Sequence, residues 1–464
     1  MVGSSSASTI AEEKRSVDIE KSPSPDPLEP TEANILPDVA DGASGSDVEK
    51  AELAKSHAGI DPSAFPDGGF EAWLVVSGAF CCLFCSFGWV NCIGVFQAYY
   101  QTHQLSHLSS STISWIPSLE VFMMFAGGPI VGKLYDRYGP RYLLLAGTFF
   151  HVFGLMMASI SSEYYQFILS QGICSPFGAS MIFYPAMSAT GTWFHKNRAW
   201  AFGVMAAGSS LGGVIFPIMV ERLVASAGFG WAMRAAAFLI LGLLIYANLT
   251  VKSRLPPTPK PWGFREFVEP LRELPFALVV ISSFLFFFGI FLPFNYIILY
   301  ATKYGMSQRL ASYIIAILNA LSILGRTIPG AIADRLGRFN TMIVTSFLSA
   351  ILVLALWIPS RGNVPIILFA ALYGFSSGAF VSLAPALIAQ ISDIRQIGVR
   401  TGSMFAIVSI AALVGNPIGG ALVTHEHGGY SHLQIFCGVV LFAGACFFVA
   451  ARVSLVGVKL TAKV

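Results

Sequence analysis

Arg326 is an ionisable side chain inside a long apolar stretch, where a charge is costly. It precedes Asp334 by eight residues, so in a helix that ends near this aspartate it lies about 12 Å from the end. A charge at that depth in a bilayer costs at least about 2.5 kcal/mol. The guanidinium should therefore face a central cavity, where it could hold a carboxylate through two nitrogens. The alternative is a structural pair with a neighbouring helix.

Glu120 and His151 are two further ionisable side chains in apolar surroundings. A half-buried carboxylate such as Glu120 could carry a proton, or it could simply lie beside a wet vestibule. His151 could relay protons, although a packing histidine with satisfied ring nitrogens is the favoured interpretation. Other polar side chains could line a cavity and bind a solute, or could only join helices: Asn91, Asn319 and Tyr184.

The elements that must position these residues follow from composition. Of the 464 residues, 55% are hydrophobic and 11% are charged, against about 25% charged in ordinary soluble domains. Apolar segments of about 20 residues recur, each long enough to cross a bilayer as a helix. We predict twelve such spans, which makes this an all-α membrane protein. They lie near 74–98, 113–134, 142–161, 165–190, 199–222, 232–252, 276–300, 310–333, 341–359, 364–389, 402–424 and 433–455.

The remaining segments define the predicted domains. Residues 1–65 are rich in Ser, Pro and acids, which predicts a disordered tail. The proline-rich, charged stretch 253–274 predicts a linker between two six-helix bundles, 66–252 and 275–464. Seventeen lysines and arginines fall in loops on the side of the tail, against about five on the other side. Positive charge stays inside, so we predict both termini in the cytoplasm and a location in the plasma membrane.

The two predicted bundles repeat each other in sequence. Gly178 and Pro185 recur as Gly378 and Pro385, an offset of 200 residues, and the loop 132–139 recurs at 330–337 with an offset of 198. Internal duplication of this kind is one plan for transporters. The repeated loop carries acid and base side chains where a helix should meet the cytoplasm, and these predict a conformational gate: Asp136, Arg137, Asp334 and Arg335.

The repeated loop resembles a signature of the major facilitator superfamily. The segment Pro66–Trp73 resembles the opening motif of the monocarboxylate porter family, in particular its fungal branch. Trp193–Gly203 resembles that family's loop between its fourth and fifth helices, and Gly325–Asp334 resembles its eighth helix. The resemblance implies the major facilitator fold, with two pseudo-symmetric six-helix bundles that carry a solute by alternating access.

The chain also departs from this family. Members that carry lactate with a proton have a lysine where Asn91 stands and an aspartate where Ser322 stands, whereas the arginine is retained as Arg326. The antiporter-linked motif of the fifth helix expects proline where Ser209 stands. The resemblance therefore implies a secondary transporter of a small organic anion or fungal secondary metabolite, with efflux and proton coupling both open. The alternative is a nutrient sensor that keeps the fold without net flux.

Other function classes lack support in the sequence. The run from Gly127 to Lys133 imitates a phosphate-binding loop, but Leu134 replaces the required Ser or Thr and no strand precedes it. We therefore predict no ATP as energy source, no cofactor and no metal. A net charge of +3 is too small to indicate nucleic-acid binding. The absence of a nucleophile or metal constellation predicts that the chain is not an enzyme.

Overall fold

A computed structural model describes residues 65–257, 263, 265–459 and 462–464. The predicted disordered tail lies outside the described residues except for Phe65, and so does the middle of the predicted linker. The described residues contain twelve helices that are long and apolar enough to cross a membrane, which confirms the predicted number.

The helices are numbered α1 to α12 in chain order. They are α1 Phe70–Thr102, α2 Trp115–Tyr138, α3 Pro140–Ala158, α4 Tyr164–Gly191, α5 Arg198–Ala227, α6 Phe229–Thr250, α7 Leu274–Lys303, α8 Gln308–Leu336, α9 Arg338–Trp357, α10 Asn363–Gln390, α11 Ile394–His425 and α12 Ser431–Val456.

Length and composition explain why these segments are helical. They run from 19 to 33 residues, and at about 1.5 Å per residue the shortest is still about 28 Å long. A helix satisfies its backbone hydrogen bonds internally, which hydrocarbon requires. Outward faces are apolar: on α3, for example, Tyr142, Leu145 and Phe149 are all more than half exposed, as expected for side chains that contact lipid.

Several helices depart from regular geometry at identifiable places. The first span is interrupted at Ser86 and again at Asn91–Cys92. The fourth span contains a π-helical segment, Ile168–Cys174, and the ninth contains another, Leu352–Trp357. Prolines that remove backbone hydrogen bonds occur at matching places in the two halves, α1–α6 and α7–α12. They are Pro185 and Pro385, then Pro217 and Pro417.

The two halves are in close contact at the end of the bundle where the described parts of the predicted linker lie, which we call the connector end. There α2 packs on α11 and α5 packs on α8. A Cβ atom built on Gly132 would lie only 2.0 Å from the carbonyl oxygen of Gly398, and one on Gly330 would lie 2.6 Å from that of Ala199. Glycine therefore permits both contacts, as small residues do between membrane helices.

Candidate functional site

A cavity lies between the halves, and Arg326 is the charged residue in its lining. Apolar side chains form most of the wall, and a few polar groups accompany the arginine. The lining residues are Phe87, Asn91, Phe287, Ile290, Phe291, Phe294, Ser322, Arg326, Ser377, Gly378 and Val381. An apolar wall with few polar groups is typical of a small-molecule site.

Arg326 is only 4% exposed and is held by neutral oxygen atoms. Its Nε donates to Ser322 Oγ at 3.3 Å, one turn earlier on α8. Its Nη1 reaches α5 of the other half, where it donates to the carbonyl oxygen of Ala206 at 2.8 Å and to Ser209 Oγ. The guanidinium carbon also lies 5.8 Å from the centre of the Phe87 ring, which favours the cation.

The guanidinium keeps binding capacity for a solute. Its hydrogen bonds use Nε and Nη1, and Nη2 makes none with the part of the chain that the structure describes. Within the same described residues, no carboxylate lies at ion-pair distance from Arg326. Glu120, the other ionisable carboxyl within the apolar spans considered above, accepts a hydrogen bond from Gln171 and makes no ion pair with Arg326. An anion in the cavity could therefore supply the missing counter-charge.

Of the other predicted substrate-binding residues, one lines the cavity and two do not. Asn91 lines the cavity, and its Nδ2 donates to the Phe87 carbonyl at 3.0 Å. Asn319 lies outside the lining and donates to the Ile315 carbonyl at 3.1 Å, while its buried Oδ1 has no partner within the described residues. Tyr184 is fully buried away from the lining and donates to the Phe125 carbonyl at 2.8 Å. The cavity thus brings together Arg326 and Asn91.

The aromatic wall of the cavity was not predicted. Phe287, Phe291 and Phe294 follow each other at helical spacing and present one face of α7. Phe291 meets Phe87 of the first half in an edge-to-face contact with ring centres 6.2 Å apart. The spacing of these phenylalanines was a usable signal, but in a helix that is apolar all round it does not say which face points inward.

The two predicted proton-coupling residues lie in different environments, both outside the cavity lining. Glu120 is 2% exposed, and its Oε2 accepts from Gln171 Nε2 at 3.1 Å. His151 is fully buried, with Nε2 3.0 Å from the Cys85 carbonyl and Nδ1 3.0 Å from Ser175 Oγ. Both nitrogens of His151 have partners, as in a packing histidine, whereas Glu120 belongs to a polar network.

The two aspartates of the predicted gate make equivalent contacts at the connector end. Asp136 of α2 accepts from the backbone N–H groups of Gly398 (3.2 Å) and Val399 (2.9 Å), in the first turns of α11. Asp334 of α8 accepts from Ala199 (3.1 Å) and Trp200 (2.8 Å), in the first turn of α5. A carboxylate at a helix N-terminus is stabilised by the helix dipole. Each aspartate therefore joins one half to the other.

The arginine partner of this gate differs from the predicted ones. Arg338 donates to Asp334 at 2.9 Å and to the His195 carbonyl at 2.6 Å. Arg335 is exposed, and the Arg137 guanidinium lies over the Tyr138 ring instead. The spacing of four residues between Asp334 and Arg338 was the signal that could have identified the pair.

A histidine in the loop between α4 and α5 lies beside this gate. Burial and the nearby guanidinium groups of Arg198 and Arg338 lower the pKa of His195 below its ordinary value. The neutral imidazole is therefore favoured next to the two arginines. The backbone carbonyl of the same residue, His195, accepts the hydrogen bond from Arg338.

The described part of the predicted linker forms two ion pairs at the connector end. Glu266 pairs with Lys133 of α2, which is almost fully buried. Glu273 accepts two hydrogen bonds from Arg400 of α11, at 2.7 and 2.5 Å. One short stretch of chain is thus anchored to both halves, beside the contact between Asp136 and α11.

The fold and the family match together define the class of protein. The chain belongs to the Major Facilitator Superfamily, which residues 79–362 and 330–461 match. It is therefore a multi-pass membrane transporter and not an enzyme.

Relatives and solved structures agree with this class. The chain is 59% identical to "MFS-type transporter 1" of Ophiocordyceps sp., over 87% of this chain and 90% of the relative. It is 45% identical to the "Fujikurins efflux protein" of Gibberella fujikuroi, over 92% of this chain and 93% of the relative. The E. coli fucose:proton symporter has the same fold, with a TM-score of 0.62, 14% identity, and coverage of 80% of this chain and 97% of the symporter.

Proposed function

We propose that this transporter exports a small organic anion with an apolar, aromatic body, by secondary active transport and alternating access. The single observation that carries the proposal is Arg326, a buried cation in a cavity wall with no carboxylate partner within the described residues. A solute carboxylate would satisfy the guanidinium through Nη2, and the phenylalanines around it would contact the rest of the solute.

The direction of transport is inferred from similarity. The relative from Gibberella fujikuroi is named for the efflux of fujikurins, which supports efflux of a fungal secondary metabolite by this chain. We propose that the transporter lies in the plasma membrane. We propose that its connector end faces the cytoplasm, because loops on that side carry the excess of Lys and Arg. The finer assignment to the fungal branch of the monocarboxylate porter family rests on Pro66–Trp73 and Gly325–Asp334.

The gate supports alternating access. We infer that the contacts of Asp136 and Asp334 with the opposite half hold the connector end closed. A solute from that side could reach the cavity only after these contacts break, so the proposed cycle alternates between this conformation and one in which the connector end is open.

Transport of matched acids and amides tests this function. Membrane vesicles that contain the full chain would be loaded with a panel of aromatic carboxylic acids and their primary amides, and flux would be measured. We expect the acids to be carried in preference to the amides. Arg326→Lys keeps the charge but loses the planar fork, and should reduce acid transport at least about tenfold, the equivalent of ~1.4 kcal/mol.

Arg361→Lys is the matched control, because Arg361 lies over the Tyr304 ring away from the cavity lining, and we expect it to transport normally. Equal transport of acids and amides, or a full rate in Arg326→Lys, would contradict the anion site. A chain that binds the acids without any flux would support the sensor alternative.

A further inference from the structure

A buried network joins three polar side chains from three helices of the first half. Tyr100 of α1 donates to Gln171 Oε1 at 2.5 Å, and Gln171 of α4 donates from Nε2 to Glu120 Oε2 of α2 at 3.1 Å. All three side chains are at most 2% exposed. Because Tyr100 binds the oxygen of the Gln171 amide, the NH₂ group is directed to the carboxyl.

The carboxyl of Glu120 has no cationic partner among the residues that the structure describes. Within the described ranges, no Lys, Arg or His nitrogen lies within ion-pair distance of it. Among the described residues, the titratable groups that interact with it electrostatically are Tyr100 and Cys92, both on α1. Neither one supplies positive charge. An ionised carboxylate buried without a cation is costly, and the usual relief is to bind a proton.

The helix that carries Gln171 is distorted at this residue. Gln171 lies in the middle of the π-helical segment Ile168–Cys174. Such segments cost backbone hydrogen-bond geometry and often occur at functional sites. Here the distortion presents the amide to Glu120, while Gly172 in the same segment packs against Leu119, the neighbour of Glu120.

The second half provides an internal comparison. With the repeat offsets of 200 and 198 residues, Tyr100 corresponds to Tyr300, Gln171 to Ala371 and Glu120 to Leu318. The Tyr300 hydroxyl donates to the carbonyl oxygen of Ser360 at 2.5 Å, and α10 remains α-helical through Ala371. The fold is thus built in the second half without a carboxyl, an amide or a π-helical segment at these positions.

We propose that Glu120 is a proton-exchange site, separate from the anion cavity, and that Gln171 and Tyr100 are its positioning residues. The reaction is the reversible addition of H⁺ to the carboxylate, and no other bond changes. Glu120 lies five residues after the start of α2, about 8 Å from the end opposite to the connector. This inference rests on the proposed export: protons bind to Glu120 from that side, and their movement inward drives the solute outward.

Infrared difference spectroscopy tests proton binding without a substrate. The purified full chain in liposomes would be titrated with acid and base, and the C=O stretching band of protonated carboxyl groups recorded. We expect a reversible band from a buried carboxyl that disappears in Glu120→Gln. Tyr100→Phe, which keeps the ring and removes the hydroxyl, should shift the midpoint of this band. Tyr300→Phe, the equivalent change in the other half, should leave it in place.

The outcomes distinguish this inference from the proposed export. A band that persists in Glu120→Gln, or a midpoint that is unchanged in Tyr100→Phe, would overturn the proton site whatever the chain transports. Should Glu120→Gln fail to fold, the comparison of Tyr100→Phe with Tyr300→Phe still decides the matter. For the coupling, acid transport in wild-type vesicles should depend on the proton gradient, and flux that is independent of the gradient would overturn it.

Discussion

The proposed gate at the connector end allows a prediction with a calculable size. Asp136→Asn and Asp334→Asn retain a side-chain oxygen that can accept a hydrogen bond, but both remove the negative charge from a helix N-terminus of the opposite half. We therefore expect each change to shift the conformational equilibrium toward the state with an open connector end, and to leave the fold intact.

The magnitude follows from the contacts that each aspartate makes. A charge at a partly buried helix terminus contributes up to about 2 kcal/mol, so Asp136→Asn should cost about 1–2 kcal/mol, or roughly a 5- to 30-fold change in population. Asp334→Asn should shift the equilibrium by a similar amount, because its ion pair with Arg338 at 2.9 Å lies within the second half and need not break when the connector end opens. The two changes lie on different helix pairs and should be nearly additive.

A distance measurement across the gate checks this. Genetically encoded spin labels at Tyr138 and Arg395, which are exposed residues on opposite halves beside Asp136, avoid the seven native cysteines. Electron-spin distance distributions should gain a longer component in each variant. Glu426→Gln is the control, because Glu426 lies at the opposite end of the bundle, where it accepts from the His432 N–H at 2.9 Å. Unchanged distance distributions in both gate variants would refute the proposed gate.

Three further predictions concern the orientation of the chain and the contacts at the connector end. Epitope tags at residue 10 and after Val464 should bind antibody only in permeabilised cells, and labelling of intact cells would contradict a cytoplasmic location. Glu273→Gln removes a charge-assisted pair with Arg400 and should add a longer distance component in the same spin-label assay, whereas Glu426→Gln at the opposite end should not. Because the pKa of His195 is lowered in the folded chain, its stabilising contribution should be lost as pH falls below about 6.5, and His195→Gln should reduce this loss in thermal unfolding measurements.

The spans, and the aspartates that contact helix ends at the connector end, could be located from sequence because their signals are local. Apolar stretches of about 20 residues specify helices of the required length, and the loop around Asp136 recurs around Asp334. Both features can be identified without knowing how any helix is rotated. The contact of each aspartate with a helix N-terminus follows once the two halves pack as repeats.

The contacts of the cavity could not be predicted in the same way. The partners of Arg326 on α5, Ser209 and Ala206, precede it by more than 100 residues, and only the serine in place of an expected proline was a signal. Tyr184 and Asn319 are polar residues in apolar helices, as Asn91 is, yet of these three Asn91 lines the cavity. A helix that is apolar all round does not encode its own rotation about its axis, so packing decides which polar residue faces the cavity.

The distribution of these residues between the halves bears on the mechanism. The proposed gate uses the same contact twice, with one aspartate in each half, which suits a movement of two similar bodies. The cavity arginine and the carboxyl of Glu120 occur once each, in opposite halves, and share no hydrogen bond or ion pair among the described contacts. Coupling between solute and proton would then pass through the relative movement of the halves. Arg326→Lys should accordingly weaken solute transport and leave the infrared titration of Glu120 unchanged, whereas direct charge coupling would displace its midpoint.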